Sequence, residues 1–119
     1  MHVLIVEDDP EINQLLCEYA QIAGFRTRSA LSGTAALALA TAEAPNLVLL
    51  DLMLPDIDGF EVLRRLKRDP ALAHVPVVFL TALTAEDSRA QGRALGAVDY
   101  LTKPFDPDEL LAVMHRHAR

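Results

Sequence analysis

Three unbroken apolar runs, Val3–Val6, Leu47–Leu50 and Val77–Leu80, restrict what this chain can fold into more than any other feature. A strand with one wetted face alternates apolar and polar side chains, whereas a strand covered on both faces has no reason to alternate. The runs therefore predict strands inside a parallel sheet with helices on both sides. Phe25–Ala30 does alternate and reads as an edge strand, and Val98–Leu101 reads as a short fifth strand. Between them lie helical stretches. Ile12, Leu15, Leu16, Tyr19, Ala20 and Ala23 form one apolar stripe at helical spacing. Asp9-Pro10 opens that helix with a side-chain cap and a proline at the first helical position, and Gly24 can close it. Ser32 opens a second, alanine-rich helix. Asp58 opens a third, with Glu61 where a capping box wants it, and Asp69-Pro70 stops it. Thr84 opens a fourth that closes near Gly96, and Asp106-Pro107 opens a fifth with Glu109 at the capping-box position. Strand followed by helix, five times over, predicts a doubly wound α/β domain with a five-stranded parallel sheet and right-handed crossovers.

The 119 residues suit one domain, taken as residues 1–119, either a whole protein or the front of a longer one. The formal charge of −6 and pI near 5.0 argue against this domain gripping a nucleic-acid backbone, which needs a basic face. The single cysteine, Cys17, rules out an internal disulfide and reads as a buried or half-buried thiol. Met1 leads at once into the first apolar run and then an acidic cluster, unlike a signal peptide, and the apolar runs are far too short to cross a membrane. A cytoplasmic location is the resulting expectation.

In an open parallel sheet, functional groups gather at the carboxyl ends of the strands. The first strand runs into Glu7, Asp8 and Asp9, the third into Asp51, the fourth into Thr81, and the fifth is followed by Lys103-Pro104. Carboxylates crowded into one pocket repel each other, and a divalent cation with oxygen ligands removes the problem. An acidic cluster with a metal suits phosphoryl transfer to a carboxylate, for which Asp51 on the central strand is the natural nucleophile. Lys103 and the Thr81 hydroxyl would then bind the phosphoryl oxygens.

The segments Leu4-Ile5-Val6-Glu7-Asp8-Asp9, Leu50-Asp51-Leu52-Met53-Leu54-Pro55, Asp58-Gly59, Leu80-Thr81-Ala82 and Asp99-Tyr100-Leu101-Thr102-Lys103-Pro104-Phe105 together resemble the receiver domains of bacterial two-component response regulators, the chemotaxis-regulator-like family. The likeness covers essentially the whole chain. It implies a flavodoxin-like receiver fold and a phosphorelay switch that catalyses only its own aspartyl phosphorylation and dephosphorylation. It implies Asp51 as phosphoacceptor and Glu7, Asp8, Asp51 and the Met53 backbone carbonyl as ligands of Mg2+, with Mn2+ an alternative. It also implies Thr81 and Tyr100 as switch residues, Ala82 as the small residue leaving the phosphoryl group room, and Lys103 as the phosphate-binding lysine before a cis bond to Pro104. The implied partners are a sensor histidine kinase or histidine phosphotransfer protein, and an output domain or downstream effector read by the face of helix 4, strand 5 and helix 5. That face is also the implied homodimer surface.

Other readings compete. Asp9 is either a helix cap or a supporting group at the metal, the cap being favoured. A calcium loop through Asp56-Ile57-Asp58-Gly59 would put Leu54 first and Arg65 twelfth, and neither binds calcium. A haloacid-dehalogenase-like phosphatase would carry a second acid where Met53 stands, and a flavin carrier would not place Glu7, Asp8 and Asp9 against the flavin phosphate. His2, His74, His115 and His117 show no catalytic or zinc spacing and read mostly as solvated. A receiver-shaped interaction module that needs no phosphate remains the alternative function. Met53 and Leu83, two residues after Asp51 and Thr81, are apolar where fast-hydrolysing receivers carry polar side chains that hold water, so slow self-dephosphorylation is expected.

Overall fold

The computed structural model describes residues 1–82 and 86–118, and at 86–88 the backbone alone. The strands are β1 (His2–Val6), β2 (Arg26–Ala30), β3 (Leu47–Leu50), β4 (Val77–Thr81) and β5 (Asp99–Thr102). The helices are α1 (Pro10–Ile22), α2 (Gly33–Ala42), α3 (Gly59–Arg68), α4 (Glu86–Ala94) and α5 (Pro107–His117). The strands form one parallel sheet in the order β2-β1-β3-β4-β5, the doubly wound arrangement expected. The Leu83 position and the expected opening of α4 at Thr84 lie outside the described residues.

Every residue of β1, β3 and β4 is buried. Alternate side chains serve opposite layers. Leu4, Val6, Val48, Leu50 and Phe79 pack with Ala36, Ala40, Val62, Leu63 and Leu66 of α2 and α3. Val3, Ile5, Leu47, Leu49, Val78 and Leu80 pack with Leu16, Cys17 and Ala20 of α1 and with Leu110, Val113 and Met114 of α5. Each Val, Leu, Ile, Phe or Met among them contributes roughly 1.5–3 kcal/mol on burial. Two-sided burial is the physical content of the unbroken apolar runs.

The helix ends follow local chemistry. Asp9 Oδ1 accepts from the backbone N–H of Glu11 at 2.9 Å and of Ile12 at 3.3 Å, so Asp9 is a cap. Ser32 caps α2 through Ala35, Asp58 caps α3 through Glu61, and Asp106 caps α5 through Asp108. Gly24 and Gly96 end α1 and α4 at φ 95° and 106°, conformations that favour glycine, and Phe25 and Ala97 donate back to Ala20 and Gly92. Two expectations shift. Glu61 does not complete a capping box; its carboxylate takes Arg65 at 2.9 Å and Arg64 at 3.3 Å, four and three positions further along the helix. The fifth strand runs one residue later than expected, Asp99–Thr102, with Val98 exposed at its entry although its N–H donates to the Val77 carbonyl at 2.9 Å.

Gly59, the first residue of α3, lies directly on the backbone that carries Asp51. A Cβ there would stand 2.6 Å from the Asp51 carbonyl oxygen and 2.8 Å from Leu52 Cα. Backbone cannot swing aside as a side chain can, so Gly59→Ala is expected to lower the unfolding free energy by about 1–3 kcal/mol. Urea denaturation of the variant against the parent checks this.

Candidate functional site

The strand order brings the carboxyl ends of β1, β3, β4 and β5 to one edge, and the chain turns there on acidic residues. Asp51 leaves β3 with its backbone N–H bonded to the Val6 carbonyl at 3.0 Å, which ties it to the end of β1. Glu7 and Asp51 are buried, whereas Asp8 is exposed. One carboxylate oxygen from each of Glu7, Asp8 and Asp51 lies within 4.8 Å of the other two. These three are the carboxylates expected from the sequence.

Lys103 enters the cluster from the loop after β5. Its Nζ donates to Asp51 Oδ2 at 2.9 Å and to Glu7 Oε1. The Lys103 backbone N–H donates to the Thr81 carbonyl at 2.8 Å, anchoring the loop to the end of β4. The Lys103–Pro104 bond is cis, as the resemblance implied. The remaining oxygens are also held: Asp51 Oδ1 accepts from the Met53 N–H at 3.0 Å, and Glu7 Oε2 accepts from the Asp9 N–H at 3.1 Å. Burial raises the Glu7 carboxyl above its ordinary value, and the hydrogen bonds from Lys103 and Asp9 only partly oppose it. Burial pulls the Lys103 ammonium down, but Glu7 and Asp51 outweigh it, so Lys103 is held above its ordinary value and stays charged.

Three carboxylates against one ammonium leave two negative charges uncompensated in a partly buried pocket. An oxygen-only donor set with that charge fits a divalent hard cation. The residues present therefore suit magnesium or manganese, with Asp8 offering a wetted side.

Thr81 is fully buried at the end of β4, and Ala82 beside it is exposed. Tyr100 is buried on β5, its ring 5.9 Å from that of Phe79. The Arg89 guanidinium of α4 sits 5.1 Å from the Tyr100 ring centre and donates to Thr102 Oγ1 at 3.0 Å. Met53 projects into solvent at 62% exposure on the rim.

Sequence reasoning missed the groups that hold these loops. Asp56 binds the amino end of α2, accepting from the N–H of Gly33 at 2.9 Å, the N–H of Thr34 at 2.8 Å and the Thr34 hydroxyl. Those bonds, led by the Thr34 hydroxyl, hold its carboxyl well below the usual carboxylate range. Buried Asn13 donates to the carbonyls of Glu7 and Ala30 at 3.0 and 3.1 Å, fixing the turn out of β1. An asparagine amid the apolar stripe of α1 was the one available signal. Of the histidines, His74 and His115 are exposed, but His2 is buried and half-buried His117 meets Asp99 Oδ2 at 2.9 Å, so only part of the expected solvation holds.

Comparison with known proteins agrees with this fold. The family described as the response regulator receiver domain matches residues 3–115. The DNA-binding dual master transcriptional regulator RpaA of Synechocystis is 47% identical over 110 residues, covering 92% of this chain and 46% of that protein. The phosphate regulon transcriptional regulatory protein PhoB of Pseudomonas aeruginosa is 42% identical over 110 residues, covering 92% of this chain and 48% of its own. The chain thus spans about half the length of these curated relatives. The chemotaxis protein CheY4 of Vibrio cholerae superposes with a TM-score of 0.92 at 31% identity, covering 98% of this chain and 97% of that one. The chain belongs to the response regulator receiver domain family.

Proposed function

We propose that this receiver takes its phosphoryl group on Asp51, with Mg2+ (or Mn2+) held by Glu7, Asp8, Asp51 and the Met53 backbone carbonyl. The observation that carries the reading is Lys103 Nζ lodged between Asp51 and Glu7 at the edge where the carboxylates converge. Receiver domains are phosphoacceptor switches rather than enzymes that turn over an external substrate.

Asp51 is the carboxylate best placed to attack. It stands on the central strand and is reached by a cation that can follow the charge. Glu7 is more deeply buried, at 2% exposure against 5% for Asp51. When Asp51 forms its bond to phosphorus, the electron pair of the breaking bond leaves with the donor group. Lys103 then exchanges its carboxylate partner for a phosphoryl oxygen, a charge-assisted contact of the same kind. Bound Mg2+ would offset the charge on the phosphoryl oxygens. Thr81 would turn its hydroxyl to a further oxygen, Ala82 leaves the space open, and Met53 N–H keeps Asp51 oriented.

Tyr100 is the proposed readout. Thr81 follows Phe79 by two residues on β4, Phe79 packs on the Tyr100 ring, and Arg89 links that ring to α4, so a shift of Thr81 would be passed along this path. The face of α4, β5 and α5 would thereby change its affinity for an output domain, an effector or a second copy of the chain. The phosphoryl donor is a sensor histidine kinase or a histidine phosphotransfer protein. Among the described residues no helix is long and apolar enough to cross a membrane.

Intact-mass spectrometry after incubation with acetyl phosphate tests the assignment. One phosphoryl group gained by the parent with Mg2+, and by neither the magnesium-free parent nor Asp51→Asn, is expected. Absence of any gain in the parent would favour a phosphate-independent interaction module, and a gain that persists in Asp51→Asn would move the acceptor elsewhere. Lys103→Met is expected to slow phosphorylation by about two to three orders of magnitude, followed by the same mass shift against time. The apolar Met53 and Leu83 positions leave no side chain to hold an attacking water, so self-dephosphorylation should be slow. The double variant Met53→Asn, Leu83→Glu should lose phosphate faster by roughly one to two orders of magnitude; decay at the parent's rate would remove the water-positioning account.

A further inference from the structure

The opposite end of the sheet carries a second polar site that the phosphoacceptor chemistry does not use. A cavity of about 150 Å³ opens where β1 and β2 begin, against the end of α2, and is lined by His2, Arg26, Thr27, Arg28 and Glu43. The register pairs His2 with Arg26 and Leu4 with Arg28, so His2, Arg26 and Arg28 project to one face of the sheet. This gathers the guanidinium groups of Arg26 and Arg28 beside the His2 imidazole at one spot of a chain whose formal charge is −6.

The donors there are under-used. Arg28 Nη1 is a buried N–H group with no hydrogen-bond partner among the described residues. Its nearest acid, Glu43 Oε2, is 3.6 Å away, and Glu43 Oε1 is also 3.6 Å from His2 Nδ1. Both contacts are too long for hydrogen bonds. The Glu43 side chain is 56% exposed, free to swing outward. A guanidinium N–H buried without an acceptor is costly, and the fork it belongs to matches an oxyanion. The surroundings are cationic as well as polar: burial first, then Arg28 and Arg26, hold His2 below its ordinary pKa against the opposite pull of Glu43. The negative end of α2 acts against an anion, but that field falls off within the last helical turn.

We propose that this cavity binds a small phosphate-type oxyanion, free or as a phosphomonoester, on Arg28, Arg26 and His2, with the Glu43 carboxylate as its internal competitor. The site is separate from the acidic cluster, since His2 and Glu7 sit at opposite ends of β1, about 16 Å apart along an extended strand. It is independent of which carboxylate accepts the phosphoryl group.

The test is titration of the parent with inorganic phosphate in magnesium-free buffer, following backbone amide resonances. Saturable shifts at residues 2, 26–28 and 43 are expected. Arg28→Gln should weaken the apparent affinity by about tenfold or more. Glu43→Gln, at a half-exposed position that leaves the core untouched, should tighten it several-fold, because the competing carboxylate is gone. Shifts confined to the Asp51 and Lys103 end would overturn the proposal, as would no saturable shift. Equal or weaker binding by Glu43→Gln would also overturn it, since Glu43 would then be a fixed ion-pair partner rather than a competitor. Acetate binding as tightly as phosphate would overturn the phosphate assignment.

Discussion

The Lys103 ammonium, held between Glu7 and Asp51, is the contact on which the functional edge depends. Two carboxylates buried side by side would each lose hydration and repel the other. A single cation makes their burial tolerable, and it can be shared because Lys103 arrives on a loop pinned to β4 through the Thr81 carbonyl. The lysine compensates only part of the charge. What remains uncompensated is the electrostatic demand that a divalent cation meets, so an ion pair and a metal site occupy the same few ångströms.

The rest of the fold supplies rigidity to that edge. The loops after β1, β3 and β5 meet there, and each is tied by a hydrogen bond between residues distant in sequence. Asn13 holds the turn out of β1, Asp56 fastens the loop after β3 to the amino end of α2, and Gly59 brings α3 flush against the Asp51 backbone. Beneath them, two apolar layers keep β1, β3 and β4 dry on both faces. A site made of loops on a packed sheet can be exact at its base and adjustable at its rim, as a switch requires. Arg89, joining α4 to β5 across Tyr100, is where such adjustment would reach the outer face.

Much of this was legible beforehand, for reasons that differ by element. The central strands announced themselves because two-sided burial leaves a signature no turn or surface helix shares. Asp9, Ser32, Asp58 and Asp106 announced their helices because capping is a contact between near neighbours. Glu61 misled because two arginines on the same helix compete for its carboxylate more strongly than a backbone N–H does. His2 misled because its burial comes from α2 and β2 packing over the start of β1, which no local pattern encodes. Asp56 was weighed only as part of a failed calcium loop; its real partner, α2, is 22–23 residues away.

By itself the sequence determined the order of strands and helices, the acidic, hydroxyl and basic residues at the strand ends, and through their joint spacing the receiver family. Those properties depend on interactions between near neighbours or on side-chain type. Only the tertiary structure decided that Lys103 bridges Glu7 and Asp51 across 96 and 52 residues of chain. It alone decided that Asp56 clamps α2 and that Arg28 keeps a buried donor with no hydrogen-bond partner among the described residues. Hydrogen bonds and ion pairs between distant residues depend on where the sheet brings its edges together, and that geometry is set by the packing of the whole core.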